Sequence, residues 1–255
     1  MFFSIFRFHY VNLFSKKNSL IMIICLLIYC LSSFLIYGVD SNKYTTVVYF
    51  IFNSPRIPTL DLFRTLLLVL SFILVCTHFM QTEIRLRSIY LLLRVRSMNL
   101  YFHSLFSTMI LFTFVFMTIG YLLGFLLTFI FFKIDGINGN SFSQTISSYA
   151  ICQQYFLLIL SSISLLLINK IIVLLIKNSE IATVLFIFLF ISSFYLVCIN
   201  TDFYLYMPFL YGFFNFSDHL IDKAYALKIA ILCFSCIILY GISYSIYRRR
   251  KDFFS

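Results

Sequence analysis

Residues Leu105–Phe132 read LFSTMILFTFVFMTIGYLLGFLLTFIFF, a run of 28 residues without one charged side chain. As an α-helix such a run rises about 42 Å at 1.5 Å per residue, against roughly 30 Å for the hydrocarbon core of a bilayer. Backbone N–H and C=O groups in hydrocarbon must be paired within the protein, so the run reads as a membrane-spanning helix. Five further runs of the same character flank it: Leu20–Tyr37, Leu62–Met80, Tyr149–Ile168 with an apolar extension to Ile176, Ile181–Ile199 and Ala226–Tyr247. The alternating segments of about 10 residues that a β-barrel requires do not occur. The expected fold class is therefore an all-α membrane protein of six transmembrane helices, one transmembrane domain over residues 1–255.

The composition agrees. The chain is 62% hydrophobic and 11% charged, whereas a soluble domain is about a quarter charged. If the chain starts in the cytoplasm and crosses six times, Arg7, Lys16, Lys17, Arg85, Arg87, Arg94, Arg96, Lys170, Lys177, Arg248, Arg249, Arg250 and Lys251 fall inside. Lys43, Arg56, Arg64, Lys133, Lys223 and Lys228 fall at the outer side. Thirteen of the 19 cations are then cytoplasmic, and the net charge of +10 sits on that face, as the positive-inside rule requires. These cations flank spans and the aromatics lie within them, so no stacking platform meets a basic groove and nucleic acid is not a partner. Anionic headgroups and an acidic cytoplasmic partner suit the charge better.

Between the spans, four segments carry information. Residues 1–18 place Phe2, Phe6, Tyr10 and Leu13 on one helical face against Ser4, Arg7, Asn12 and Ser15, which predicts an interfacial helix leading into an uncleaved first span. Gln81–His103 (QTEIRLRSIYLLLRVRSMNLYFH) sets Glu83, Arg87 and Arg94 on one helical face and Arg85 and Arg96 on the opposite one, with apolar flanks between. That pattern suits burial between lipid and another protein; a helix continuing past the membrane with snorkelling arginines is the plainer reading. Gly120-x-x-x-Gly124 predicts a close helix–helix approach. Residues 200–225 crowd Phe203, Phe209, Phe213, Phe214 and several tyrosines around Pro208 and Gly212, an external re-entrant segment or an aromatic anchor at the outer interface.

Catalytic constellations are missing from the sequence. No glycine belongs to a phosphate loop ending in Gly-Lys-Ser/Thr, and His9, His78, His103 and His219 are scattered with no His-Glu-x-x-His. Cys233-x-x-Cys236 lies in an apolar run without a second pair or a nearby histidine, so two small packing residues are the better account. No spaced acids lie mid-span, which argues against an ion-coupled carrier. The spans are expected to hold almost no buried charge, so any path beside them offers apolar, polarizable surface that suits an amphipathic or hydrophobic cargo. Phe203, Phe209, Phe213 and Phe214 are the candidate substrate path or outer gate.

An N-terminal interfacial helix, six spans, a basic loop after the second, an aromatic segment between the fifth and sixth and the terminal Tyr247–Asp252 (YRRRKD) together resemble the permease subunits of type-2 ABC exporters. The small size and Leu92–Ser97 (LLRVRS) are similar to the short permeases of Gram-positive bacteria tied to bacteriocin export or immunity. The resemblance implies that Gln81–His103 contains a coupling helix, with Glu83, Arg85, Arg87, Arg94, Arg96 and Ser97 docking on a separate ABC ATPase. It implies ATP and Mg on that partner, no cofactor or metal on this chain, no enzyme activity of its own, and a second permease copy or paralogue completing one path. A bacterial plasma membrane with both termini cytoplasmic is the implied location. The alternative is a non-transporting membrane protein that sequesters a peptide or scaffolds a membrane complex.

The charge distribution predicts sidedness directly. In a cysteine-free background, a single cysteine at Ser255 is expected to resist a membrane-impermeant reagent in intact cells, and one at Asn138 to react; labelling of Ser255 from outside overturns the topology.

Overall fold

A computed structural model describes residues 2–37, 58–83, 98–135, 148–176, 178–213 and 221–249. The helices are α1 (Phe2–Leu13), α2 (Lys16–Tyr37), α3 (Pro58–Thr82), α4 (Met98–Asp135), α5 (Ser148–Ile176), α6 (Ser179–Ile199) and α7 (Ile221–Arg249), with 3-10 turns at Thr201–Tyr206 and Pro208–Leu210 before α7. Helices α2 to α7 are each long and apolar enough to cross a membrane, which marks a multi-pass membrane protein. No strand occurs among the described residues.

Local chemistry sets the helix ends. Ser15 breaks the chain between α1 and α2: its Oγ accepts from Asn18 N at 3.4 Å, while Asn18 Nδ2 donates to the orphan carbonyl of Leu13 at 3.0 Å. Asn178 caps α6 by accepting from Glu180 N and Ile181 N, and Glu180 adds a negative charge to the first turn. Asn200 ends the same helix and starts the next turn, accepting from Asp202 N at 2.9 Å. Between Ile168 and Ile176 there is neither Pro nor Gly, so α5 runs on through Asn169 and Lys170 to Ile176. Likewise α4 begins at Met98, inside the segment assigned to a loop, and α7 begins at Ile221.

Packing is organised on α5. It contacts α3, α4, α6 and the second 3-10 turn, and lies against α7 along much of its length. Two-thirds of its spanning part is buried (67%), against 11% for α7. Helix α7 turns Phe234, Ile237, Ile238 and Ile242 outward, a surface suited to hydrocarbon. Helix α2 packs on α3 and α4, where Gly120 is buried and its carbonyl lies 3.7 Å from the Cys30 thiol. Gly124 is also buried, and its carbonyl accepts from Thr128 Oγ1 at 2.7 Å.

Helix α1 lies on α4 and α3, and the face it buries differs from the expected one. Ile5, His9 and Leu13 are inward, while Tyr10 is exposed. Phe2, Phe6, Tyr10 and Phe14 stack on each other along one side, at 6.1, 6.4 and 4.3 Å between successive rings. Ring-on-ring contact thus occupies the aromatic stripe, and the smaller Ile5 and His9 fit the seam with the bundle.

Gly212 packs directly against the main chain of α5. A Cβ there would stand 2.6 Å from Leu158 Cα, 2.7 Å from Leu157 O and 2.8 Å from Leu158 N, all main-chain atoms of α5. A Cβ at Gly241, on α7, would meet nothing within 4 Å. Gly212→Ala is therefore expected to lower thermal stability in detergent by about 1–3 kcal/mol through overpacking. Gly241→Ala is expected to be neutral or to stabilise by up to about 1 kcal/mol, since mid-helix glycine costs backbone entropy. Equal effects of the two substitutions would overturn the packing assignment.

Candidate functional site

Two clusters of buried polar side chains sit at opposite ends of the bundle. At one end the C-terminus of α3, the N-terminus of α4, the C-termini of α5 and α7, and α1 come together. His9 and Glu83 are both fully buried there, with His9 Nδ1 3.1 Å from Glu83 Oε2, an ion-pair contact without hydrogen-bond alignment. Tyr101 Oη donates to the Glu83 carbonyl at 3.0 Å, and the His9 ring stands edge-on between Tyr101 and Phe79 at 5.2 and 6.0 Å. Three elements are pinned by one carboxylate-bearing residue at the point where the chain leaves α3.

Beside it lies a buried cation. Lys170, 1% exposed, points its Nζ at the faces of Phe102 and Phe106, 4.3 and 3.9 Å from the ring centroids. Among the described residues Nζ has no hydrogen-bond partner and no carboxylate pairs with it. Phe102 is in turn covered by Tyr247, Tyr244 and Tyr240 of α7, at 4.7, 5.4 and 6.0 Å, and Phe106 meets Tyr240 at 4.5 Å. His103 Nδ1 hydrogen-bonds the Tyr240 hydroxyl, and Tyr244 Oη donates to Asn99 Oδ1 at 3.0 Å. Next to Lys170, Asn169 Nδ2 donates to Thr77 Oγ1 at 2.6 Å and leaves Oδ1 without a partner.

At the opposite end, the segment after α6 folds back along α5. Gly212 N donates to Ser161 Oγ at 2.8 Å and Gln154 Nε2 donates to Gly212 O at 2.5 Å. Phe213 is buried edge-on to Phe190 at 6.4 Å, nine residues or about 13 Å back along α6 from its end. Tyr211 Oη donates to Leu205 O at 2.7 Å, closing the segment on itself. On α3, Asp61 and Arg64 form a buried pair at 3.1 Å, with the guanidinium 5.8 Å from the centre of the Tyr29 ring.

The residues singled out by sequence are divided by this geometry. Of the six coupling candidates, Glu83 is the buried partner of His9; Arg85, Arg87, Arg94, Arg96 and Ser97 lie outside the described residues. Of the outer aromatics, Phe203 is exposed, Phe209 half-buried and Phe213 buried, and Phe214 lies outside the described residues.

The expectation of spans nearly free of buried charge is corrected. Asp61, Arg64 and Lys170 are all buried within span-length helices. Lys170 was grouped with the cytoplasmic cations because it follows the run Tyr149–Ile168, whereas the helix continues through it to Ile176. A single cation framed by apolar residues, Leu165–Ile168 before and Ile171–Ile176 after, was the signal that could have exposed it. His9 had no comparable signal.

Chemically, the first cluster can hold a negative charge or relay a displacement between helices. Among the described residues no three His, Cys, Asp or Glu side chains gather at a metal-sized site. Cys236 packs its thiol 3.8 Å from Leu160 O. Comparison with family models, with curated proteins and with solved structures gives no match to this chain.

Proposed function

We propose that the chain is the membrane permease subunit of an ATP-driven ABC exporter that expels an amphipathic peptide or another hydrophobic substrate. In this reading residues 84–97 dock on a separate ATPase that carries ATP and Mg. A second permease copy or paralogue completes the path, and the protein sits in a bacterial plasma membrane with both termini cytoplasmic. Helix α1 then lies along the cytoplasmic interface, and residues 200–225 form the outer re-entrant element.

The observation that carries the reading is the anchoring of Glu83. It is the residue from which the Arg-rich segment departs, and it is fixed at once to α1 through His9 and to α4 through Tyr101. A docking loop that is to transmit force must start from a rigid base, since displacement passes through packed side chains with discrete arrangements. Arg85, Arg87, Arg94 and Arg96 then supply charge-assisted hydrogen bonds to acidic groups of the partner. At the other end, the Gly212 seat on Gln154 and Ser161 ties the outer segment to α5, the same helix that carries Lys170 to the inner end.

Arg94 and Arg96 test the reading. The double substitution R94E/R96E is expected to leave membrane insertion intact while abolishing stimulation of the ATPase by the permease, because each reversal replaces an attraction by a like-charge contact. Normal stimulation by the double variant refutes the docking assignment. Failure of the wild-type protein to co-purify with any nucleotide-binding subunit selects the sequestering or scaffolding alternative instead.

A further inference from the structure

We infer that Lys170 is the anchoring group of a closed anion site, and that its ligand is a monoanionic amphiphile with a phosphodiester or carboxylate head. The inference requires only the membrane-spanning helices and not the export reading.

A fully buried ammonium is tolerated when it is paired or solvated, and the cost of leaving it alone in an apolar interior is several kcal/mol or more. Two phenyl faces recover part of this, about 2 kcal/mol when desolvated. The described carboxylates are committed elsewhere or lie at the surface: Glu83 pairs with His9, Asp61 with Arg64, and Glu180 and Asp202 are exposed. An anion bound beside Nζ would supply the counter-charge that the described residues do not give Lys170.

Charge and surroundings choose among anions. One lysine neutralises one negative charge, which is what a phosphodiester or carboxylate carries at neutral pH, whereas inorganic phosphate is a strongly hydrated mixture of mono- and dianion. The walls are the rings of Phe102, Phe106 and the α7 tyrosines, so a hydrophilic ion would lose its water with few donors in return. An amphiphile can leave its tail on the exposed apolar side of α7. Lys170 stands six residues before the end of α5, about 9 Å along the axis, within reach of a head group that enters from that end. The cover over Phe102 and Phe106 comes from α7, so admission requires the C-terminal end of α7 to part from α4 and from α5, against which it lies.

The test uses the full chain in detergent, with native mass spectrometry and thermal unfolding as readouts. The probes are phosphatidylglycerol and oleate as monoanionic amphiphiles, phosphatidylcholine as the zwitterionic control, and inorganic phosphate as the free ion. Phosphatidylglycerol, oleate or both are expected to be retained and to raise the unfolding temperature, as a ligand of the folded state must. Lys170→Met is expected to weaken that binding at least tenfold while keeping its own ligand-free stability at or above wild type, because it removes an unpaired charge and keeps the stem. Lys170→Arg is expected to bind within about threefold of wild type, the charge being retained. Equal binding by K170M, equal retention of phosphatidylcholine by the wild type, or binding of inorganic phosphate alone overturns the proposal. So does a stability cycle in which K170M and D252N each destabilise the protein and the double variant loses no more than either alone, which would assign the lysine to the chain's own Asp252. If K170M does not accumulate, the wild-type comparison of phosphatidylglycerol with phosphatidylcholine still decides.

Discussion

Helix α5 carries buried polar side chains that have no water to turn to, and the arrangement of the bundle follows from where they find partners. Gln154 and Ser161 take the two main-chain groups of Gly212, Asn169 takes Thr77 of α3, and Lys170 takes two phenyl faces of α4. Between helices in a bilayer the hydrophobic effect gives little, since lipid tails are as apolar as leucine; close packing and interhelical polar contacts, about 0.6–2 kcal/mol each, set the register instead. Gly212 shows both at once, because only a residue without a Cβ lets the main chain come near enough to α5 for those bonds to form.

The two ends of the bundle use different devices. At the Gly212 end a short segment is folded onto α5 by main-chain hydrogen bonds and ring contacts, and a nearby ion pair, Asp61 with Arg64, is internally neutral. At the Glu83 end three helices meet around a second pair, and the neighbouring Lys170 has no counter-charge among the described residues. A buried pair offsets its own charge, although its remaining donors and acceptors must still find hydrogen bonds. A buried lysine without a counter-charge among the described residues is what distinguishes the second end and carries the proposed anion site.

Much of this was legible from period and length. The six spans were readable because hydrocarbon allows few solutions, and their observed limits differ from the expected ones mainly where the helix outlasts the apolar run, as at Met98 and at Ile221. The face of α1 was only partly legible: a helical wheel grouped Phe2, Phe6, Tyr10 and Leu13, of which Leu13 is buried, but rings four residues apart can satisfy each other, and the seam also took Ile5 and His9. The outer aromatics were found as a group, yet their individual exposure depends on how residues 201–213 turn, which neighbouring residues alone do not specify.

By itself the sequence determined the solvent, the class of element and the number of spans, because unpaired backbone groups are too costly in hydrocarbon for an uncharged run of 20 or so residues to be anything but a helix. Tertiary structure alone decided that His9 meets Glu83 across 74 positions, that Lys170 lies beneath the rings of α4 and α7, and that Gly212 seats on Leu158. Those pairings join residues far apart in the chain, and local periodicity carries no information about which helix a given face will meet. Contact is chosen by shape and by the need of each buried polar atom for a partner, both of which exist only once the helices are together.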